Sequence, residues 1–221
     1  MRAVIFDLDG TLVDTVYGHT LAWWRVLQEA GLPVPSWKVH RLIGMSGGLI
    51  TRAAAHEIGR GLAPDEVERL QKRHGEVYKS LMPDRHPLPG ALELLQHLRE
   101  AGIKHGIATS GKRQDAQPSL DALNPPSDMV IVDRTEVDRA KPEPDLFLAC
   151  QQKLGVAPSE CYVVGDAVWD VLAARRAGML AVALLSGGYG EQELAQAGAY
   201  RVYADPADLL SNIYQLGLRP S

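Results

Sequence analysis

Asp7 and Asp9 stand one residue apart at the end of an apolar run, Ala3-Val4-Ile5-Phe6, with Leu8 alone between them. Carboxylates are costly to bury and repel one another when close. A strand-like run that stops on such a pair has two readings. Either the strand surfaces there, or the carboxylates hold a cation and do chemistry. Three further apolar runs lead into polar groups that suit a phosphate. "GIATSG" ends in Thr109, Ser110 and Gly111; "YVVGDAVWD" passes into Gly165 and Asp166, with Asp170 one helical turn on; "MVIVD" leads by a loop into "AKPEPD", which carries Lys141. Four aspartates, a small hydroxyl and one lysine gathered together would be strongly negative. A hard divalent cation with oxygen ligands neutralises such a set, and beside phosphate Mg²⁺ is the usual choice.

For these groups to meet, the runs must be strands whose carboxyl ends share one edge, which is where open parallel sheets bind ligands. The apolar runs at 3–6, 106–108, 129–132, 162–164, 181–185 and 200–203 do not alternate apolar with polar. They fit strands buried on both faces. Amphipathic segments lie between them, at 91–98 and 168–174, and several helical segments stop on a glycine: Gly102, Gly155, Gly178 and Gly198. Glycine there is a left-handed helix stop. Helix, glycine and strand in repetition predict an α/β fold with an open, mainly parallel, Rossmann-like sheet.

The alternation breaks between the first two strands. Residues 15–30 predict a helix, stopped by Gly31, whose apolar face includes Leu21, Trp24 and Leu27. Val67, Leu70, His74, Val77 and Leu81 recur at three- and four-residue spacing and predict a helix from Pro64. The chain is therefore expected to form an α/β core from 1–14 and 86–221 and a helical insert from 15–85, with the proline-rich 82–90 as the return linker.

Composition narrows the function. The 221 residues are 46% hydrophobic and 23% charged with a net charge of −4, an ordinary globular balance without the basic patch that nucleic acid requires. No apolar run approaches the ~20 residues of a membrane span, and no secretory leader is read at the start. Cys150 and Cys161 have no metal spacing and are expected to be reduced and structural. A cytoplasmic location is the expectation, with no nucleic-acid or membrane partner. The oligomeric state is not read.

The chain resembles the haloacid dehalogenase-like phosphohydrolases, in the branch of phosphoglycolate phosphatase and β-phosphoglucomutase. "DLDGTLVDT", "IATS", "AKPEPDLF" and "VGDAVWD" look like the family's four motifs in order, and the helical insert lies where this branch carries its cap. The resemblance implies Asp7 as nucleophile, Asp9 as general acid and then base, and Mg²⁺ held by the Asp7 carboxylate, the Asp9 carbonyl and Asp166. It implies Asp170 as support for the metal shell or Lys141, Thr109 as a phosphoryl ligand and Lys141 as the charge-neutralising ammonium. Gly10, Ser110 and Gly111, with Ser46 and His19 of the insert, are expected at the substrate.

Blander readings stand beside these. Thr109 or Asp166 could cap a helix, Asp170 could be a first-turn charge, and "KPEPD" could be a loop entering a helix. Trp23 and Trp24 suit packing in or against the insert, and Trp169 either packs or walls the site. Haloacid dehalogenases and phosphonate hydrolases lack an aspartate at the place of Asp9, so a small phosphate ester is the implied substrate. A sugar phosphomutase is the alternative, but that branch carries an arginine where "IGMSGG" has Gly47. A catalytically silent regulatory module would have lost a motif residue, and none is lost.

Overall fold

A computed structural model describes residues 1–219. The chain divides into two compact units, one formed by Met1–Asp14 with the chain from His86 onward, the other by Thr15–Arg85. In the first unit the described strands form one parallel sheet of β1 (Ala3–Phe6), β2 (Lys104–Ala108), β3 (Val130–Val132), β4 (Cys161–Gly165), β5 (Leu180–Leu184) and β6 (Arg201–Tyr203), in the order β3-β2-β1-β4-β5-β6. β1 is central, with Ile5 opposite Gly106 of β2 on one side and Val163 of β4 on the other.

Side chains of a strand alternate between faces. Val4, Phe6 and Leu8 enter one apolar layer, and Ala3 and Ile5 enter the other. Both faces are covered, which is why the strands read as continuous apolar runs rather than alternating ones. Asp7 directly follows the last residue of the strand.

The helices of the second unit are α1 (Val16–Glu29), α2 (Ser36–His40), α3 (Gly47–His56) and α4 (Pro64–Leu81). Those of the sheet unit are α5 (Ala91–Glu100), α6 (Arg113–Leu123), α7 (Asp145–Leu154), α8 (Val168–Arg176), α9 (Glu191–Ala197) and α10 (Pro206–Ser211). Gly102, Gly155, Gly178 and Gly198 take φ of 66°, 65°, 72° and 106°, the left-handed stops expected of them. Cys150 and Cys161 are buried and unbridged, and burial pushes their thiols up to about 12 and about 11. No described helix is long and apolar enough to cross a membrane.

The helical unit has its own core, where Val16, Ala22, Trp23, Val26 and Leu27 of α1 meet Leu70, Val77 and Tyr78 of α4. One expectation is corrected here. Leu21, Trp24 and Leu81 are exposed, at 51%, 40% and 42%. Two apolar stripes run along α1, one from Val16 and one from Tyr17. They lie one residue, about 100°, apart on a helix. Periodicity alone does not say which stripe turns inward; packing against α4 selects the one carrying Trp23.

Candidate active site

The switch in strand order falls between β1 and β4, the place where open α/β sheets take ligands. Asp7 directly follows β1, and its N–H donates to the Val164 carbonyl at 2.9 Å, so the ladder holds its backbone rigidly. Beyond it the chain folds about the Leu8 carbonyl, which accepts from Leu12 and Val13, and Gly10 turns with φ 82°. Asp166 follows β4, and Asp170 lies in the first turn of α8.

Lys141 arrives on the loop before α7. It is completely buried, with Nζ 2.7 Å from Asp7 Oδ1 and 2.8 Å from Asp170 Oδ1. Oxygens of Asp7, Asp166 and Asp170 lie within 4.8 Å of one another. Asp170 Oδ2 accepts the Ala167 N–H at 3.0 Å. Asp170 is thus both a first-turn residue bonding the helix start and a partner of Lys141. Asp166 does not cap α8, whose preceding residue is Ala167. Thr109 does not cap α6 either, since Lys112 stands there. Thr109 is buried, its N–H donates to the Val132 carbonyl at 3.0 Å, and its Oγ1 accepts from the Gly111 N–H at 3.0 Å. The Gly111 carbonyl accepts from the Arg134 N–H, and Ser110 lies half-buried beside it.

The electrostatics follow from burial. Desolvation pushes the Asp7 carboxyl up to about 7 against the pull of the Lys141 ammonium, while the Asp170 and Asp9 charges add to the rise. Burial holds Asp166 well above the usual carboxylate range, with Asp170 and Asp7 adding. Burial disfavours the Lys141 ammonium, but Asp170 and Asp7 outweigh it and keep that group above its ordinary value. Three buried carboxylates therefore face one ammonium. An all-oxygen donor set with unbalanced negative charge fits a hard divalent cation and does not suit a soft one. Asp9 is half-buried and adds no carboxylate oxygen to the cluster of three.

Two residues near this centre escaped the sequence reading. Thr11 is fully buried and its Oγ1 donates to Asp166 Oδ1 at 2.7 Å. Ser186, in the turn after β5, donates to the Gly10 carbonyl at 2.6 Å. The rule that polar residues after strand ends build the site, applied to the fifth apolar run, would have found Ser186. Trp169 is half-buried against the apolar layer that also holds Val171 and Ala174.

Ser46 and His19 belong to the helical unit. Ser46 precedes α3 and its carbonyl accepts from Leu49 and Ile50. His19 stacks on Tyr78 with ring centroids 3.7 Å apart, and its Nδ1 lies 3.3 Å from Nε2 of His74, which stacks on Trp23 at 4.1 Å.

Residues 1–178 match the model of the haloacid dehalogenase-like hydrolases. The chain is 35% identical to a phosphoglycolate phosphatase of Rhodospirillum rubrum over 94% of its own length and 89% of the relative's. It is 33% identical to a β-phosphoglucomutase of Bacillus subtilis, over 95% and 92%. A crystal structure of a hydrolase from Pseudomonas syringae superposes with a TM-score of 0.93 at 45% identity, covering 98% of this chain and 99% of that one. With the segments of Asp7, Lys141 and Asp166 meeting at the switch point of a parallel sheet, and with these matches along almost its whole length, the chain belongs to the haloacid dehalogenase-like hydrolases.

Proposed function

We propose that the protein is a Mg²⁺-dependent phosphatase of a small phosphorylated metabolite, acting in the cytoplasm through an aspartyl-phosphate on Asp7. As a member of this family with phosphatases among its relatives, it is a phosphoric monoester hydrolase. The observation that carries the finer reading is the buried Lys141 ammonium, 2.7 Å from Asp7 and 2.8 Å from Asp170, with Asp166 alongside.

The Asp7 carboxylate attacks phosphorus and takes the phosphoryl group, displacing the alcohol. Asp9 donates its proton to the departing oxygen. Left ionised, Asp9 then accepts a proton from the water that hydrolyses the acyl phosphate, which restores both residues. Lys141 neutralises charge gathered on Asp7 and the phosphoryl oxygens. The Thr109 hydroxyl accepts from Gly111, and its own hydrogen is left to donate to a phosphoryl oxygen. Gly10, Ser110 and Gly111 bring backbone close to the phosphate. The Asp7 carboxylate, the Asp9 carbonyl and Asp166 would hold Mg²⁺, which when bound supplies charge neutralisation and orientation of the phosphoryl group. Both Asp170 oxygens already accept hydrogen bonds, so Asp170 holds Lys141 in place and supports the metal shell.

In the unit 15–85, position 47 carries glycine and so offers no cation for a second phosphate, and a side chain there would have to displace its neighbours. A Cβ on Gly47 would lie 2.8 Å from Trp23 Cζ2 and 3.1 Å from Gln71 Cγ. This favours hydrolysis of a monophosphate over a mutase that must also grip the second phosphate of a bisphosphate. Ser46 and His19 are the polar groups we assign to the rest of the substrate.

The test is phosphate release from an aryl phosphate and from a panel of phosphorylated metabolites. Release should require Mg²⁺ and stop in excess chelator; equal rates with and without chelator would refute the reading. Metal binding should also be pH-linked. The folded Asp7 carboxyl, raised from 3.8 to about 7, keeps its proton where the unfolded chain has lost it. In metal-free protein this favours folding at low pH, and the advantage is lost as pH rises from about 4 through about 7. Mg²⁺ must displace that proton. Saturating Mg²⁺ at about 100 times its Kd, adding about 2.7 kcal/mol, should raise Tm by roughly 5–10 °C at pH 8. The same concentration should give a much smaller rise at pH 5.5.

A further inference from the structure

We propose that Gly187 and Thr11 are positioning residues that fix the Asp166 carboxylate for a divalent cation, so that a side chain at position 187 is excluded by the metal site and not by the backbone. This rests on the metal role given to Asp166 under Proposed function.

Gly187 closes the short 3-10 turn Leu185–Gly187 that follows β5. A Cβ built there would stand 2.0 Å from Asp166 Oδ2 and 2.8 Å from both its Cβ and Cγ. That overlap involves most of the aspartate side chain, and a small rotation of the carboxylate does not relieve it. Gly187 is absent from the residues with positive φ, whereas its neighbour Gly188 has φ 83°. Its backbone therefore accepts any small residue, and the three atoms nearest to a Cβ there all belong to Asp166. On the other oxygen, Thr11 Oγ1 donates at 2.7 Å. The carboxylate is held on one oxygen by a hydrogen bond and on the other by close backbone. Ser186, beside Gly187, ties the same turn to the Gly10 carbonyl at 2.6 Å. The turn after β5 thus ties itself to the loop after β1 and crowds the acidic side chain that follows β4, and together with Thr11 it sets the orientation of that carboxylate. Partners of a metal ligand of this kind change metal affinity by about 10–100-fold when altered.

The experiment is calorimetric titration of the full-length, metal-free protein with MgCl₂ in the absence of substrate, with Tm in chelator recorded for each variant. Gly187→Ala should weaken Mg²⁺ binding by about 10–100-fold while the protein remains folded. Gly190→Ala, three residues on, should bind as the parent does, because a Cβ there meets only Glu193 Oε2, at 3.3 Å. Thr11→Val, which keeps shape and removes the donor, should also weaken binding, and Thr11→Ser should restore it. The Thr11 pair decides the matter if Gly187→Ala fails to fold. Parent-like Mg²⁺ affinity, within about threefold, in Gly187→Ala and in Thr11→Val would overturn the proposal. If the parent itself takes up no Mg²⁺, the metal role of Asp166 falls, and this inference with it.

Discussion

Replacing Asp7 with asparagine is expected to remove essentially all phosphatase turnover, a loss on the order of 10³-fold or more. An amide does not attack phosphorus as a carboxylate does, and no other described carboxylate occupies its place after β1 beside Lys141. The neighbouring Asp9→Asn should fail differently. It keeps the nucleophile and loses the proton donor, so the phosphorylation step should suffer less for aryl phosphates, whose leaving groups need little protonation, than for alkyl phosphates. Single-turnover labelling with radioactive phosphate ester separates the two. The parent and Asp9→Asn should form an acid-stable, hydroxylamine-labile phosphoprotein, and Asp7→Asn should form none. Activity within tenfold of the parent in Asp7→Asn would end the covalent mechanism. An equal loss for aryl and alkyl esters in Asp9→Asn would end the acid role.

The second large effect concerns Lys141. Among the described residues, its ammonium is the basic side chain bonded to the buried carboxylates of Asp7 and Asp170. Lys141→Met keeps the apolar stem and deletes the charge, leaving those carboxylates uncompensated. Breaking a buried pair in this way costs about 3–5 kcal/mol, or roughly 6–20 °C in Tm for a chain of this size. The loss should depend on pH with a definite sign. Asp7 already has its carboxyl raised to about 7, and without the ammonium it rises further. At pH 5 it is then protonated and neutral, and most of the penalty is avoided; at pH 8 it is not. Metal-free Lys141→Met should therefore be destabilised more at pH 8 than at pH 5, by thermal unfolding in chelator. A pH-independent loss would mean that the lysine acts through packing alone. Turnover should fall with it, because the transition-state charge loses its nearest ammonium.

Several features were legible in the sequence because they obey local rules. Strands buried on both faces cannot alternate, and the six apolar runs gave themselves away by not alternating. Gly102, Gly155, Gly178 and Gly198 marked helix ends because few other residues tolerate their backbone angles. Asp7 and Asp166, two of the side chains gathered at the switch point, were found by taking the polar residues that follow strands, and Asp170 and Lys141, which join them, lie further along the same segments. That rule works because a parallel sheet turns every strand's carboxyl end to one edge.

Other choices were left to tertiary structure, because each depends on a neighbour distant in the chain. Two apolar stripes lie along α1, and packing within the helical unit decides that Trp23 turns in and Trp24 out. Asp133 also follows a strand, yet its Oδ1 accepts from the N–H and hydroxyl of Thr135 at 2.8 and 2.6 Å, so it serves its own loop. Spacing alone does not distinguish it from Asp166, whose partner Thr11 is 155 residues away. The sequence by itself determined which groups the sheet delivers to one edge. Tertiary packing decided which carboxylate bonds the lysine, which is held by Thr11 and which glycine leaves it room, because those contacts join residues that only the folded sheet brings within a few ångströms.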